Sequence, residues 1–199
     1  MAEVKILLEG FTNSDSRKEG EDEKTRCTST LIIEEHAALN LTGGDRLVIL
    51  TDPGVLDDQK IMEDALLENG LLIDDITHIF LTHNHPDHHR NVGMFPGAKM
   101  IEYFGLWDGA KCYDRPEKMS ENIEIIETPG HSYDGLTMLV ETEKGKVAIA
   151  GDLWWSKRGP ENDPYASDAD KLKRSRAEVL KLADYIIPGH GGIFKVREE

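Results

Sequence analysis

The sequence predicts an α/β protein in which two β-sheets pack together and helices cover the outside. Three observations carry that expectation. Apolar runs of strand length recur from one end of the chain to the other. Two stretches of helical spacing fall between them. The 199 residues suffice for one substantial core and fall short of what two ordinary domains need, so a single domain over residues 1–199 is expected.

The first element is a strand over Val4 to Phe11, and the second runs from Thr28 to Ile33. Between them, Thr12 to Arg26 is the most polar stretch of the chain. It reads as a flexible loop, one that in a metal enzyme could fold over the mouth of the site. Arg46 to Thr51 is a buried strand ending in Asp52-Pro53-Gly54. Asp57 or Asp58 can cap a helix that continues through Ile61, Ala65 and Leu66 and stops at Asn69-Gly70. Leu71 to Thr82 returns as a strand. Farther on, Ile123 and Ile125 alternate with acids before Thr128-Pro129-Gly130. Leu136 to Glu141 and Val147 to Ala150 flank a hairpin turn at Lys144-Gly145. Ser167 to Asp170 has the Ser-x-x-Asp form of a helix start, and Leu172, Val179, Leu182 and Ala183 supply an apolar face. Tyr185-Ile186-Ile187 is a short last strand before Pro188-Gly189-His190.

Charge narrows the function classes. A formal net charge of -15 repels phosphate backbones and anionic membranes at long range, so nucleic acid is disfavoured as a partner. No apolar run approaches the ~20 residues of a membrane span, and the first eight residues have the wrong flanks for a secretory signal. Cys27 and Cys112 lie far apart without metal-type spacing. Free thiols in a reducing cytoplasm are the expectation they support.

The chemistry concentrates in residues 83 to 88, His-Asn-His-Pro-Asp-His, directly after an apolar run. Alternate side chains of an extended backbone point the same way, so His83 and His85 can face one ion. Pro86 permits a turn that swings Asp87 and His88 toward a neighbouring position. His131, Asp152 and His190 each follow an apolar segment of their own. A single ion cannot take all seven groups. The expected arrangement places one metal on His83, His85 and His131, a second on Asp87, His88 and His190, and Asp152 between them. Imidazole and carboxylate donors without thiolate suit zinc, iron or manganese, and two zinc ions are the expected cofactors. Two ions ~3.5–4 Å apart can share a hydroxide and lower its pKa toward neutrality. That metal-bridging hydroxide is the expected nucleophile, with Asp87 accepting a hydrogen bond from it in a catalytic role. His36, among polar residues, and His78, inside the strand before the cluster, read as structural.

His83-x-His85-x-Asp87-His88, followed downstream by His131, Asp152 and His190, resembles the metallo-β-lactamase superfamily. The flanking words match as well: Leu81-Thr82-His83, Thr128-Pro129-Gly130-His131, Ala150-Gly151-Asp152 and Pro188-Gly189-His190-Gly191. The resemblance covers nearly the whole chain and implies a four-layer αββα sandwich of two mixed sheets, with the metals at one edge. Asp52 looks like the family's early aspartate, which supports the ligands from behind. Asp152 stands where the commonest zinc β-lactamases place a cysteine, and looks like the bridging aspartate of glyoxalase II and lactonases. Flavodiiron proteins place a glutamate where His85 stands. The chain ends nine residues after His190, without the C-terminal helices of glyoxalase II. Arg90 departs from the family by replacing a small residue at an expected helix start.

Around the site, Trp154, Trp155, Lys157 and Arg158 could line a pocket for an anionic, partly apolar molecule, or the tryptophans could pack the loop or a homodimer contact. His89 is a candidate proton donor, or simply a helix residue beside a ligand. Tyr133 and Tyr165 are candidates for oxyanion stabilisation. The leading functional expectation is a dinuclear zinc hydrolase of a small ester, thioester, lactone or amide. The alternatives are a mononuclear iron enzyme resembling persulfide dioxygenases, drawing on His83, His131 and Asp152, a phosphodiesterase or nuclease, and a metal-stabilised protein without chemistry.

Overall fold

The computed structural model describes residues 1–14, 16, 18–35, 46–157 and 159–197. His36 and Arg158 lie outside the described residues. The strands are β1 (Glu3–Leu8), β2 (Phe11–Thr12), β3 (Thr25–Arg26), β4 (Ser29–Glu35), β5 (Arg46–Thr51), β6 (His78–Phe80), β7 (Lys99–Glu102), β8 (Gly105–Asp108), β9 (Lys111–Tyr113), β10 (Ile123–Glu127), β11 (Leu136–Thr142), β12 (Gly145–Gly151), β13 (Tyr185–Pro188) and β14 (Phe194–Lys195). The helices are α1 (Lys60–Glu68), α2 (Pro86–His89) and α3 (Ala169–Leu182).

One sheet has the order β1-β4-β5-β6-β7-β8-β9 and the other β10-β11-β12-β13-β14. Both are mixed. β5, β6 and β7 run parallel, as do β12 and β13, and the remaining neighbours are antiparallel. Period-two alternation sorts the side chains into three apolar layers. Ile32, Ile49, Phe80 and Ile101 of the first sheet meet Ile125, Met138, Val140 and Ile149 of the second. Leu31, Val48, Leu50 and Ile79 face the other way, onto Met62 and Leu66 of α1. Leu139, Ala148 and Ile186 face Leu172 and Val179 of α3. The architecture is therefore an αββα sandwich. Strands buried on both faces explain why the chain shows continuous apolar runs rather than alternation.

Several boundaries differ from the sequence expectation. Leu71 to Thr82 is not one strand. The Asp75 carboxylate accepts the Leu72 N–H at 2.7 Å and the Asp75 N–H donates to the Leu72 carbonyl at 3.1 Å. That closed turn leaves only His78–Phe80 in the sheet. Helix α3 is capped by Asp168, whose carboxylate accepts the Lys171 N–H, while the Ser167 hydroxyl donates to the Gly130 carbonyl. Leu182 is 40% exposed, so the buried stripe of α3 is Leu172, Ser175 and Val179. Asp58 accepts the Lys60 N–H at 2.9 Å, one residue ahead of the Gln59 cap position. The polar segment after β2 folds back on itself, with Phe11 opposite Arg26 and Thr12 opposite Thr25. Among the described residues, no helix is long and apolar enough to cross a membrane.

His78 sits inside β6 at 1% exposure and belongs to no cluster of metal donors. Burial, with Lys99 beside it, lowers its pKa to about 4. Between about pH 4 and 6.5 the unfolded chain binds a proton here that the fold refuses. The group's contribution to stability is therefore complete above pH 6.5 and is lost as pH falls toward 4. The full difference is about 3 kcal/mol. Urea denaturation of the metal-free protein at pH 7 and pH 4.5 should show a smaller acid loss in His78→Phe than in the parent. Equal losses would remove His78 from the account.

Candidate metal centre

Five strand ends converge on one edge of the sandwich. Asp52 follows β5, residues 83–88 follow β6, His131 follows β10, Asp152 follows β12 and His190 follows β13. Strands buried on both faces hold those ends rigidly, and only the turns beyond them are free to carry polar groups.

The seven donors expected from the sequence fall into two sets. Donor atoms of His83, His85, His131 and Asp152 lie within 4.8 Å of one another, and so do those of Asp87, His88 and His190. Asp152 touches both sets. Its Oδ2 is 3.3 Å from His131 Nε2, and its Oδ1 is 3.3 Å from both His88 Nε2 and His190 Nε2. Asp87 Oδ2 approaches His190 Nε2 at 3.6 Å and His88 Nε2 at 3.9 Å. His131 Nε2 and His85 Nδ1 point at one spot, 3.0 Å apart. The backbone leaves no slack here. A methyl group at Gly189 would stand 1.7 Å from Asp152 Oδ1, so only glycine lets the chain leaving β13 pass behind the carboxylate.

Hydrogen bonds on the far side of three rings, those of His88, His190 and His131, choose the donor nitrogen. Asp52 Oδ2 is 2.9 Å from His88 Nδ1 and accepts the Thr82 hydroxyl at 2.7 Å, while its Oδ1 accepts the Thr82 N–H at 2.9 Å. His190 Nδ1 faces the Arg26 carbonyl at 3.0 Å, and His131 Nδ1 faces Asp163 Oδ2 at 2.5 Å. With one proton held outward, each of these rings in its neutral form offers an inward lone pair to a cation. Three buried atoms at the centre, His83 Nε2, His88 Nε2 and Asp152 Oδ1, have no hydrogen-bond partner. Leaving buried polar atoms unpaired costs about 1–3 kcal/mol each, which a bound cation would recover. The donor set thus fits divalent metal ions.

Charge in the metal-free protein divides the rings, with His83 and His85 shifted toward the neutral form and His88 and His190 toward the protonated one. Burial, followed by the positive potential of His88, pushes the His83 pKa well below the ordinary imidazole value. Burial also lowers that of His85. For His88 burial acts in the same direction, but Asp152 and Asp52 outweigh it and hold the pKa well above the ordinary value. His190 is raised by Asp152 against its burial. Asp152 itself, though buried, is held well below the usual carboxylate range by His190 and His88.

Several supporting residues escaped the sequence reading. Asp134 accepts the Asn84 N–H at 3.0 Å and its amide at 2.8 Å through Oδ2, and the Ser132 hydroxyl through Oδ1. It thereby ties the residue between His83 and His85 to the loop carrying His131. Asp163 and Thr25 are the others, and Thr25 Oγ1 lies 3.3 Å from both Asp87 Oδ2 and His190 Nδ1. None has a sequence signal, because each meets its partner across a long separation and sits in an ordinary polar loop.

Five of the donors, His85, Asp87, His131, Asp152 and His190, floor a cleft of about 300 Å³. Thr12, Ser14, Glu23 and Thr25 form one rim, so the polar segment after β2 does reach the mouth. Trp155 and Tyr165 form a wall, with ring centroids 5.8 Å apart and planes 26° apart. Trp154 points elsewhere, packing on Phe194 under Arg176. Lys157, Tyr133 and His89 are not among the residues that line this cleft, and Arg158 lies outside the described residues. Arg90 is the C-cap of α2, which begins at Pro86.

The family model of the metallo-beta-lactamase superfamily matches residues 33–110. Over 203 aligned residues the chain is 30% identical to a Xenopus laevis protein named metallo-beta-lactamase domain-containing protein 1, covering 97% of this chain and 81% of that one. The chain belongs to the metallo-beta-lactamase superfamily. The human protein of the same name is 33% identical over 167 residues, and the chain spans 60% of its length. In fold, a candidate metallo-beta-lactamase from Thermotoga maritima superposes with a TM-score of 0.73 at 23% identity, covering 98% of this chain and 99% of that one. An N-acyl homoserine lactone hydrolase, solved with product at its catalytic metal centre, superposes with a TM-score of 0.66 at 17% identity, covering 95% and 92%. A metallo-beta-lactamase fold with this donor set implies a divalent-metal centre.

Proposed function

We propose that the protein is a hydrolase using two divalent cations, zinc foremost, to cleave a small ester, thioester, lactone or amide. The observation that carries this reading is the two-sided placement of Asp152, with Oδ2 toward His131, Oδ1 toward His88, and His190 Nε2 3.3 Å from both oxygens. A mononuclear iron centre on His83, His131 and Asp152 would have no use for the second set, in which His88 Nε2 is buried and unpaired. The hydrolytic class also agrees with the lactone hydrolase among the structural neighbours.

On this reading His83, His85 and His131 would hold one cation and Asp87, His88 and His190 the other, with Asp152 within reach of both sets. Bound there, the cations supply Lewis acidity and bring the pKa of an attacking water toward neutrality. The chain's own residues do the rest. Asp87, at 21% side-chain exposure on the cleft floor, orients that water through a carboxylate oxygen and holds its proton until the leaving group takes it. The Thr25 hydroxyl donates to Asp87 Oδ2 and keeps the carboxylate turned toward His190. Trp155 and Tyr165 receive the apolar part of the substrate and displace water from that side. A small neutral substrate, rather than a polyanion, suits the net charge of -15.

The test is metal analysis joined to a substrate panel. Protein from its native host should carry close to two equivalents of zinc, and the loaded protein should hydrolyse esters or lactones faster than phosphodiesters. One equivalent of iron with oxygen uptake, or phosphodiesterase activity abolished by His85→Ala, would overturn the assignment.

A further inference from the structure

Outside the donor set, Asp163, like Asp52, is a buried carboxylate set against the Nδ1 of a donor histidine. Its side chain is 0% exposed, an expensive position for an acid without partners. The partners are specific. Oδ2 lies 2.5 Å from His131 Nδ1, and Oδ1 accepts the Tyr165 N–H at 2.9 Å. The segment that carries Asp163 is fastened to the segment that carries His131. The Ser167 N–H donates to the His131 carbonyl at 2.9 Å, the Asp168 N–H to the Gly130 carbonyl at 2.9 Å, and the Ser167 hydroxyl to the same carbonyl at 3.0 Å. The two groups therefore cannot drift apart independently. On its other side the segment presents Tyr165, whose ring stacks on Trp155 and whose hydroxyl donates to Glu23 Oε2 at 3.1 Å on the opposite rim.

We infer that Asp163 is a positioning residue for the metal centre, joining His131 to the aromatic wall of the substrate cleft. The inference rests on the metal-centre reading above. Asp163 keeps the His131 proton on Nδ1 and leaves the Nε2 lone pair, 3.3 Å from Asp152 Oδ2, for the cation. A neutral carbonyl would select the same tautomer. A carboxylate adds negative charge and makes the ring a stronger donor. Because Asp163 also receives the Tyr165 N–H, a substrate that moves the Trp155–Tyr165 wall moves the group that orients a ligand.

Titration of the metal-free protein with Co(II), read by visible absorption and by competition with a chelator, tests this without reference to turnover. In Asp163→Ala, one of two equivalents should bind about 10–100-fold more weakly with an altered spectrum, while the other is unchanged. Asp163→Asn should fall between, because its amide oxygen still accepts the Nδ1 proton. Parent affinity and spectrum in Asp163→Ala would overturn the inference. So would equal losses in both variants accompanied by an equal fall in the metal-free thermal midpoint, the mark of a loop support and nothing more. A parent protein that binds Co(II) and hydrolyses nothing would remove the proposed function and leave this inference standing. One that binds no Co(II) would remove both.

Discussion

Replacing Asp152 with alanine lowers kcat/KM by about 10³-fold or more, the scale seen when a group at the reacting centre is removed. The expectation follows from position. No other described carboxylate faces both donor sets, and its two oxygens each stand 3.3 Å from the histidines they serve. Without it, His88 and His190 lose the negative charge that holds their pKa values above the ordinary imidazole value. Both rings then shed their protons more readily in the metal-free protein. Metal content should nevertheless fall below two equivalents, since proton release does not replace a missing ligand. Atomic absorption alongside ester or lactone turnover reads both effects. Full activity in Asp152→Ala would end the bridging account, and a variant with two firmly bound cations would end it as decisively.

Asp52→Ala should be the most destabilising single change near the site. The residue is 2% exposed and accepts from the Thr82 N–H, the Thr82 hydroxyl and His88 Nδ1. Alanine leaves the Thr82 N–H unpaired and the Thr82 hydroxyl and His88 Nδ1 with only their contacts to one another and to His83 Nδ1. Losing one member of a buried charged network costs about 3–5 kcal/mol. The backbone adds to the cost, because Asp52 has φ +43, a region that aspartate tolerates better than alanine does. Metal affinity should drop about 10–100-fold as His88 loses its orienting partner. Asp52→Asn should retain part of both, since one amide oxygen still accepts while its NH₂ opposes a donor. Urea melts of the metal-free variants provide the stability scale, and chelator competition the affinity scale. An Asp52→Ala protein as stable as its parent would show that the Thr82 and His88 contacts contribute nothing.

The supporting contacts differ from the donors in how legible they were. The cluster at 83–88 sits in one short window after an apolar run, and His131, Asp152 and His190 each close an apolar run of their own. Strand ends are where a sandwich can present polar groups, so these positions stood out along the chain. Alternation and a proline turn also separate His83 and His85 from Asp87 and His88, but they do not sort His131 and His190. Asp134 and Asp163 had no such marker. Each gains its meaning from a partner 32 to 50 residues away. The meander β7–β9 was missed for a different reason. Lys111–Tyr113 is exposed throughout, so no apolar alternation announces it. Leu71 to Thr82 misled in the opposite direction, because an apolar run was read as one strand although Asp75 turns it.

The four-layer αββα order and the edge at which the donors gather were implied by the family resemblance. Local chemistry written into the chain determined two packed sheets with helices outside, the donor types and their place at strand ends. Those depend on periodicity and on which residues follow buried strands, and both are properties of neighbours in sequence. Tertiary structure alone decided which nitrogen of each imidazole faces inward, that Trp155 and not Trp154 borders the cleft, and that the segment after β2 reaches the mouth. Each of these depends on contacts between segments far apart in the chain. Such contacts exist only once the two sheets have closed on one another, and no local pattern encodes them.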